Sequence, residues 1–137
     1  MITFVQEVSL LEWAAEQLKA KMEPKDCTWI SNVNKNGEIQ AVVVYARATE
    51  TNCDMSVVSN GGKRWFDRAS AKVWFGYPFN QLKVRRVSAV TEVSNDKSIK
   101  MLEKLGFVRE GTLSRWFGDT DGYLYCLLKE NCKWIKG

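Results

Sequence analysis

A mixed α/β (α+β) domain, with helices flanking a mostly antiparallel central sheet that holds one parallel strand pair, is predicted by three features. Two apolar stretches, Cys27 to Val33 and Glu38 to Ala46, are joined by Asn34-Lys35-Asn36-Gly37. Asn-Gly favours the positive φ angles of a tight hairpin, so these two strands run antiparallel. A strand at Asp54 to Ser59, a helix from Trp65 or Phe66 to Gln81 and a strand at Val84 to Val93 follow in succession. A strand, a crossover helix and another strand make a parallel pair. The stretch Asn95 to Gly111 then reads as a helix signed at both ends and followed by a strand.

Taken in order, Ile2 to Val8 is read as a first strand. Ser9 opens a helix, because Ser9 and Glu12 have the spacing of a capping box. Leu11, Ala14, Ala15 and Leu18 share one face of it, with Glu12, Glu16 and Lys19 elsewhere, and Pro24 ends the helical region. The run Val42-Val43-Val44 suits a central strand covered on both faces. Arg47 to Cys53 is polar and reads as a loop or strand end. On the crossover helix, Phe66, Ala69, Val73 and Gly76 mark the buried face, while Asp67, Arg68 and Lys72 fall outside it. Pro78 bends or terminates that helix, since it lacks a donor and clashes with the preceding turn. The aromatic run Trp65, Phe66, Trp74, Phe75, Tyr77 and Phe79 lies within a helical pattern and not among basic residues on a sheet, which favours core packing over base stacking.

In the next strand Val87, Ala89, Thr91 and Val93 alternate with Arg86, Ser88, Val90 and Glu92. Ser94 or Asn95 caps the following helix by accepting from a free N–H of its first turn. Ser98, Met101, Leu102 and Leu105 form its mostly apolar face, and Lys97, Lys100, Glu103 and Lys104 its wet side. Gly106 closes it, where a positive φ is wanted. Phe107 to Phe117 and Tyr123 to Leu128 are expected to pair antiparallel around Gly118-Asp119-Thr120-Asp121-Gly122, with Lys129 to Ile135 a short closing helix.

With 137 residues the chain forms one domain, 1–137, long enough for a real core. No apolar run approaches the roughly 18 residues of a membrane span, and the N-terminus lacks a signal-peptide layout, which points to the cytoplasm. The chain has no histidine, and Cys27, Cys53, Cys126 and Cys132 show no CxxC spacing. This argues against a metal site and against imidazole catalysis, and for reduced, partly buried thiols. A net charge of +4 suits an anionic ligand without demanding nucleic acid. The basic residues are scattered and no RNA-binding motif occurs, so no nucleic-acid or membrane partner is expected.

Asn95, Ser98, the run Glu103-Lys104-Leu105-Gly106-Phe107 and the pair Glu110-Gly111 resemble the last motif of the GNAT acyltransferase superfamily. That family moves an acyl group from coenzyme A to an amine. The resemblance implies a central sheet whose parallel pair splays at its carboxyl ends and admits the pantetheine arm. It makes acetyl-CoA the co-substrate, with no metal, and an amine, on a protein or a small molecule, the acceptor. It leaves the oligomeric state as monomer or homodimer. The segment Asn60-Gly61-Gly62-Lys63-Arg64 lies between a strand and a helix, where glycine lets backbone N–H groups approach a ligand closely and a helix N-terminus favours phosphate. In the family this place holds the coenzyme pyrophosphate. The loop is not the family's usual Arg or Gln, two residues, Gly, any, Gly or Ala; its GGKRW resembles a short phage-type branch.

The resemblance assigns Val57, Val58, Ser59, Gly61, Gly62, Lys63, Arg64, Trp65, Asn95 and Ser98 to cofactor binding. A backbone N–H of the Asp54–Ser59 strand becomes the oxyanion donor, Asn95 a partner of the pantetheine arm, and Ser98 the acid for the departing sulfur. Glu92 is the candidate base and Asp54 the second. Many relatives carry a tyrosine four residues beyond the serine position; here it is Leu102. The alternative reading is a GNAT fold with weak or no activity that works through partner binding, motivated by the unusual loop and the absent tyrosine.

Overall fold

The computed structural model describes residues 1–61 and 66–136. Among these, one sheet comprises β1 (Ile2–Thr3), β2 (Cys27–Val33), β3 (Ile39–Ala46), β4 (Asn52–Ser59), β5 (Arg86–Glu92), β6 (Val108–Leu113) and β7 (Gly122–Leu128). Their order is β1-β2-β3-β4-β5-β7-β6. Every neighbouring pair is antiparallel except β4 and β5. The helices are α1 (Val8–Leu18), α2 (Arg68–Gly76) and α3 (Asp96–Leu105).

The two faces of the sheet are covered unequally. One face carries the main core, in which Tyr45, Met55, Val87 and Tyr125 pack with Trp74 and Phe75 of α2 and Leu102 and Leu105 of α3. On the other face, Leu10, Leu11 and Ala14 of α1 bury Trp29, Val42, Val44 and Val58. α1 thus covers β2, β3 and β4, which explains why the valine run of β3 is apolar on both sides. Arg86, Ser88, Val90 and Glu92 of β5 alternate onto this same side, beyond α1.

Several expectations are corrected here. The first strand stops at Thr3 and not at Val8. Gln6 takes over its role, donating from Nε2 to the Trp29 carbonyl at 2.6 Å and accepting from the Trp29 N–H at 3.1 Å. α1 begins at Val8, after Glu7, with no side-chain cap, so Ser9 lies inside the helix and no capping box forms. It ends at Leu18, with Lys19 in the left-handed region, ahead of Pro24. Phe66 and Val73 pack half-buried against the core as expected, but Ala69 is exposed, and α2 fully buries Ser70, Ala71, Trp74 and Phe75. The large rings outweigh Ala69 and Gly76, and Ser70 receives a hydrogen bond from buried Asn32 at 2.9 Å. Pro78 does not stop the helix but turns it into one π-helical turn, Tyr77–Gln81, the form that absorbs a missing donor. The strand after α3 spans only Val108–Leu113, and the C-terminal segment forms two 3₁₀ turns, Lys129–Asn131 and Lys133–Ile135. No described helix is long and apolar enough to cross a membrane.

Candidate active site

β4 and β5 hold together over three residues only, Asn52 with Arg86, Cys53 with Val87 and Asp54 with Ser88. Beyond these, β4 runs on to Ser59 and β5 to Glu92 without pairing with each other. The five remaining residues of β4, rising about 3.3 Å each, leave a gap roughly 16 Å long. The main-chain polarity follows from the β3 ladder. Asn60 N–H bonds the Gln40 carbonyl at 2.9 Å, and Val42 faces Val58 in the same register. Even-numbered residues of β4 therefore bond β3, and Val57 and Ser59 turn their N–H and C=O groups into the gap. Val58 uses its main chain on β3, and its side chain is buried beneath α1.

The gap opens onto a cleft of about 1440 Å³ whose lining includes Asp54, Met55, Ser56, Glu92, Asn95 and Ser98. α3 brings the last two there through its cap. Asn95 Oδ1 accepts from the Ser98 N–H at 3.1 Å, so the amide oxygen fixes the helix start, while Nδ2 makes no hydrogen bond among the described residues. Ser98, one turn in, is half-buried. Gly106, at φ +105°, ends α3 in the left-handed region as expected. The Glu92 carboxylate has no hydrogen bond or ion pair among the described residues.

Asp54 differs. Arg47 Nε donates to its Oδ2 at 2.6 Å, and Asn52 Nδ2 to its Oδ1 at 3.2 Å. The network continues across the sheet. Ser88 Oγ donates to Asn52 Oδ1 at 2.5 Å, Arg86 Nε donates to the same oxygen at 3.2 Å, and Arg86 Nη2 reaches Glu110 Oε1 at 2.5 Å. Both Asp54 oxygens are thus taken at the apex, where the strands part. Cys27 also lines the cleft; burial, then Asp26, pushes its thiol pKa up against the pull of Arg47.

Of the phosphate segment, Asn60 and Gly61 are described. Gly62, Lys63, Arg64 and Trp65 lie outside the described residues. Gly61 has φ +85°, and a Cβ there would lie 3.2 Å from Lys97 Nζ. An ammonium from α3 therefore sits at the end of β4, and Lys97 is exposed, on the wet side of α3 as expected. α2 starts at Arg68, later than expected, and its N-terminus is capped by a carboxylate: Asp67 Oδ1 accepts from the Ser70 N–H at 2.7 Å.

No protein-family model matches the sequence, and neither does any curated protein. Solved structures do match. A GNAT-family acetyltransferase from Bacillus anthracis is 20% identical over 87% of this chain and 72% of its own, with a TM-score of 0.63. The chain has the GNAT fold. Ribosomal-protein-S5-alanine acetyltransferase from Vibrio fischeri is 22% identical over 93% of this chain and 69% of that one, with a TM-score of 0.66. Spermidine N-acetyltransferase from Vibrio cholerae, in complex with CoA and spermine, is 16% identical over 91% of this chain and 77% of that one, with a TM-score of 0.68. In this GNAT fold the parted strands, Asn95, Ser98 and Glu92 share one cleft. Arg47, Asn52 and Lys97 are additions that sequence reasoning missed. Arg47 carried one signal, a lone cation just after a strand; Lys97 carried none beyond its place two residues after Asn95.

Proposed function

We infer that the chain is an N-acetyltransferase that moves an acetyl group from acetyl-CoA to an amine. The observation that carries this is the parting of β4 from β5 directly beside the Asn95–Ser98 turn. It supplies main-chain donors, a side-chain amide, a hydroxyl and a carboxylate that has no hydrogen bond or ion pair among the described residues, all around one opening.

Acyl transfer asks for four things, and each has a candidate group. The pantetheine amides pair with Val57 and Ser59, with Asn95 Nδ2 as a further donor, which fixes the thioester beside the acceptor. The Val57 N–H is the candidate donor to the negative charge that grows on the carbonyl oxygen as the amine attacks. Glu92 takes the proton the amine must lose, directly or through water. Asp54 ranks behind it because both of its oxygens already accept hydrogen bonds. The carbon–sulfur bond then breaks, and Ser98 Oγ gives a proton to the departing thiolate. Lys97, beside Gly61, adds charge for the coenzyme phosphates, together with the segment Gly62 to Trp65. The CoA complex of the spermidine enzyme supports coenzyme A as the donor.

Acetyl-CoA titrated into the chain should bind once per molecule and raise the melting temperature, because a ligand for the native state alone stabilises it. Thiol release in the presence of amines should follow. Neither calorimetric heat nor a thermal shift at millimolar acetyl-CoA would remove this reading. Binding without any turnover would favour an interaction module.

A further inference from the structure

We propose that Glu110, from outside the cleft, is a positioning residue for the reaction: through Arg86, Asn52 and Ser88 it fixes the rung at which β4 leaves β5. This rests on the acetyltransfer reading, in which that rung decides where the Val57 N–H meets the thioester.

The clamp starts at an irregularity of β6. Glu110 is the extra residue of a β-bulge, since Arg109 faces Tyr125 and Gly111 faces Leu124. A bulge re-aims a side chain, and the Glu110 carboxylate reaches over β7, which separates β6 from β5. The span is two strand spacings, roughly 10 Å, a distance that two long side chains bridge. Arg86 meets the carboxylate with Nη2 to Oε1 at 2.5 Å and Nη1 to Oε2 at 3.5 Å. The same guanidinium turns inward as well. Its Nε donates to Asn52 Oδ1 at 3.2 Å and its Nη2 to Ser88 Oγ at 3.3 Å.

One amide then closes the ladder. Asn52 faces Arg86 at the first rung, and Asp54 and Ser88 form the last. Asn52 Oδ1 accepts from Ser88 Oγ at 2.5 Å, and Asn52 Nδ2 donates to Asp54 Oδ1 at 3.2 Å. Both members of the last rung are thus tied to one side chain, at the point where the strands part. Parallel pairing is the weaker kind per residue, and a ladder this short frays at its open end unless something holds it. Val57 lies three residues past Asp54, and a displacement of about 1 Å at a reacting centre costs about 100-fold in rate. Stability alone does not account for the far end of the clamp. The Arg86 and Glu110 side chains are 31% and 40% exposed, and pairs this open contribute little to folding. Asn52, Arg86 and Glu110 also lie outside the cleft lining, whereas Asp54 and Ser88 belong to it. The clamp therefore acts on the reaction through the last rung.

The test uses acetyl-CoA labelled with carbon-13 at the thioester carbonyl, at saturating concentration. An N–H aimed at the carbonyl oxygen polarises the bond and moves its signal downfield. Bound to the unaltered chain, the signal should lie downfield of free acetyl-CoA. Glu110→Ala should lose most of that displacement while the acetyl-CoA Kd stays within about 2-fold, the scatter of sites that share no partner. Glu110→Gln, which keeps an oxygen for Arg86, should retain most of it. Asn52→Ala cuts the clamp at its centre and is the second variant, should the first fail to fold; the same loss is expected. A full displacement in the folded Ala variants overturns the proposal, whatever happens to their stability, because the clamp would then be structural only. Binding to the unaltered chain with no displacement overturns it too and leaves coenzyme binding intact. Failure of the unaltered chain to bind acetyl-CoA removes the acetyltransfer reading itself, and this proposal with it.

Discussion

Ser98 and Asn95 sit three residues apart and do different work, so their truncations should separate. Asn95 Oδ1 already caps α3. Asn95→Ala should therefore cost about 1 kcal/mol of folding stability, the usual scale of a cap, and also weaken acetyl-CoA binding through the lost Nδ2 donor; urea unfolding and calorimetry on one preparation read both. The Ser98 hydroxyl is required only once charge grows on sulfur, so it acts in the transition state. Ser98→Ala should lower kcat by about 100-fold with little change in acetyl-CoA affinity. Full turnover would reassign the acid to solvent or another group, and unfolding would make Ser98 a packing residue. Glu92→Gln should also lower turnover about 100-fold near neutral pH. Its deficit should shrink as pH rises and the free amine loses its proton unaided. A deficit that stays constant across pH would instead give Glu92 a role in holding the acceptor.

At the scale of elements, α2 presents an N-terminus already answered by Asp67. A carboxylate there stabilises the helix dipole but repels a coenzyme phosphate bound nearby. Asp67→Asn keeps a competent cap and removes the charge. It should tighten acetyl-CoA binding several-fold at low salt, an effect that fades as screening rises; Asp67→Ala should instead lose about 1 kcal/mol of stability. An affinity indifferent to Asp67→Asn would place the phosphates away from this helix end. The elements also show which signals in the chain were readable. β2, β3 and α3 follow from local chemistry: the Asn34–Gly37 turn, the valine run, the Asn95 cap and Gly106 all act within a few residues. The failures have distant causes. Residues 4 to 7 leave the sheet because Gln6 finds the Trp29 backbone 23 residues away. The buried face of α2 is set by Trp74 and Phe75 against β3 and α3, which no window of its own sequence contains.

For the whole molecule, the parallel β4–β5 pair could be derived from the strand–helix–strand order, whereas its splay came only with the resemblance. No local residue pattern announces where two strands part. The apex network of Arg47, Asn52, Asp54, Arg86 and Glu110 joins four segments and was likewise invisible to spacing. The same core makes a prediction about pH. Cys53 is 1% exposed, and burial, then Asp54, raises its pKa from 9.0 to about 11. Burial also raises Cys27, Cys126 and Cys132, and it lifts Tyr45, whose hydroxyl donates to the Trp74 carbonyl at 2.5 Å, well above the usual tyrosine range. All are acids held neutral by the fold. The unfolded chain gives up the Cys53 proton near pH 9 while the folded chain keeps it to about 11. Across that window the unfolded state binds fewer protons, so stability must fall as pH rises. The Cys53 contribution is fully present below pH 9 and lost as pH climbs through about 11. Urea midpoints taken from pH 7.5 to 10.5 in the presence of reductant should decline steadily above about 9. Cys53→Ala should start from a lower midpoint, since it opens a small cavity beside Met55 and Val87, but should decline less steeply. Parallel declines for the two proteins would assign the alkaline loss to the other thiols and Tyr45, and a flat wild-type profile would show that these groups ionise alike in both states.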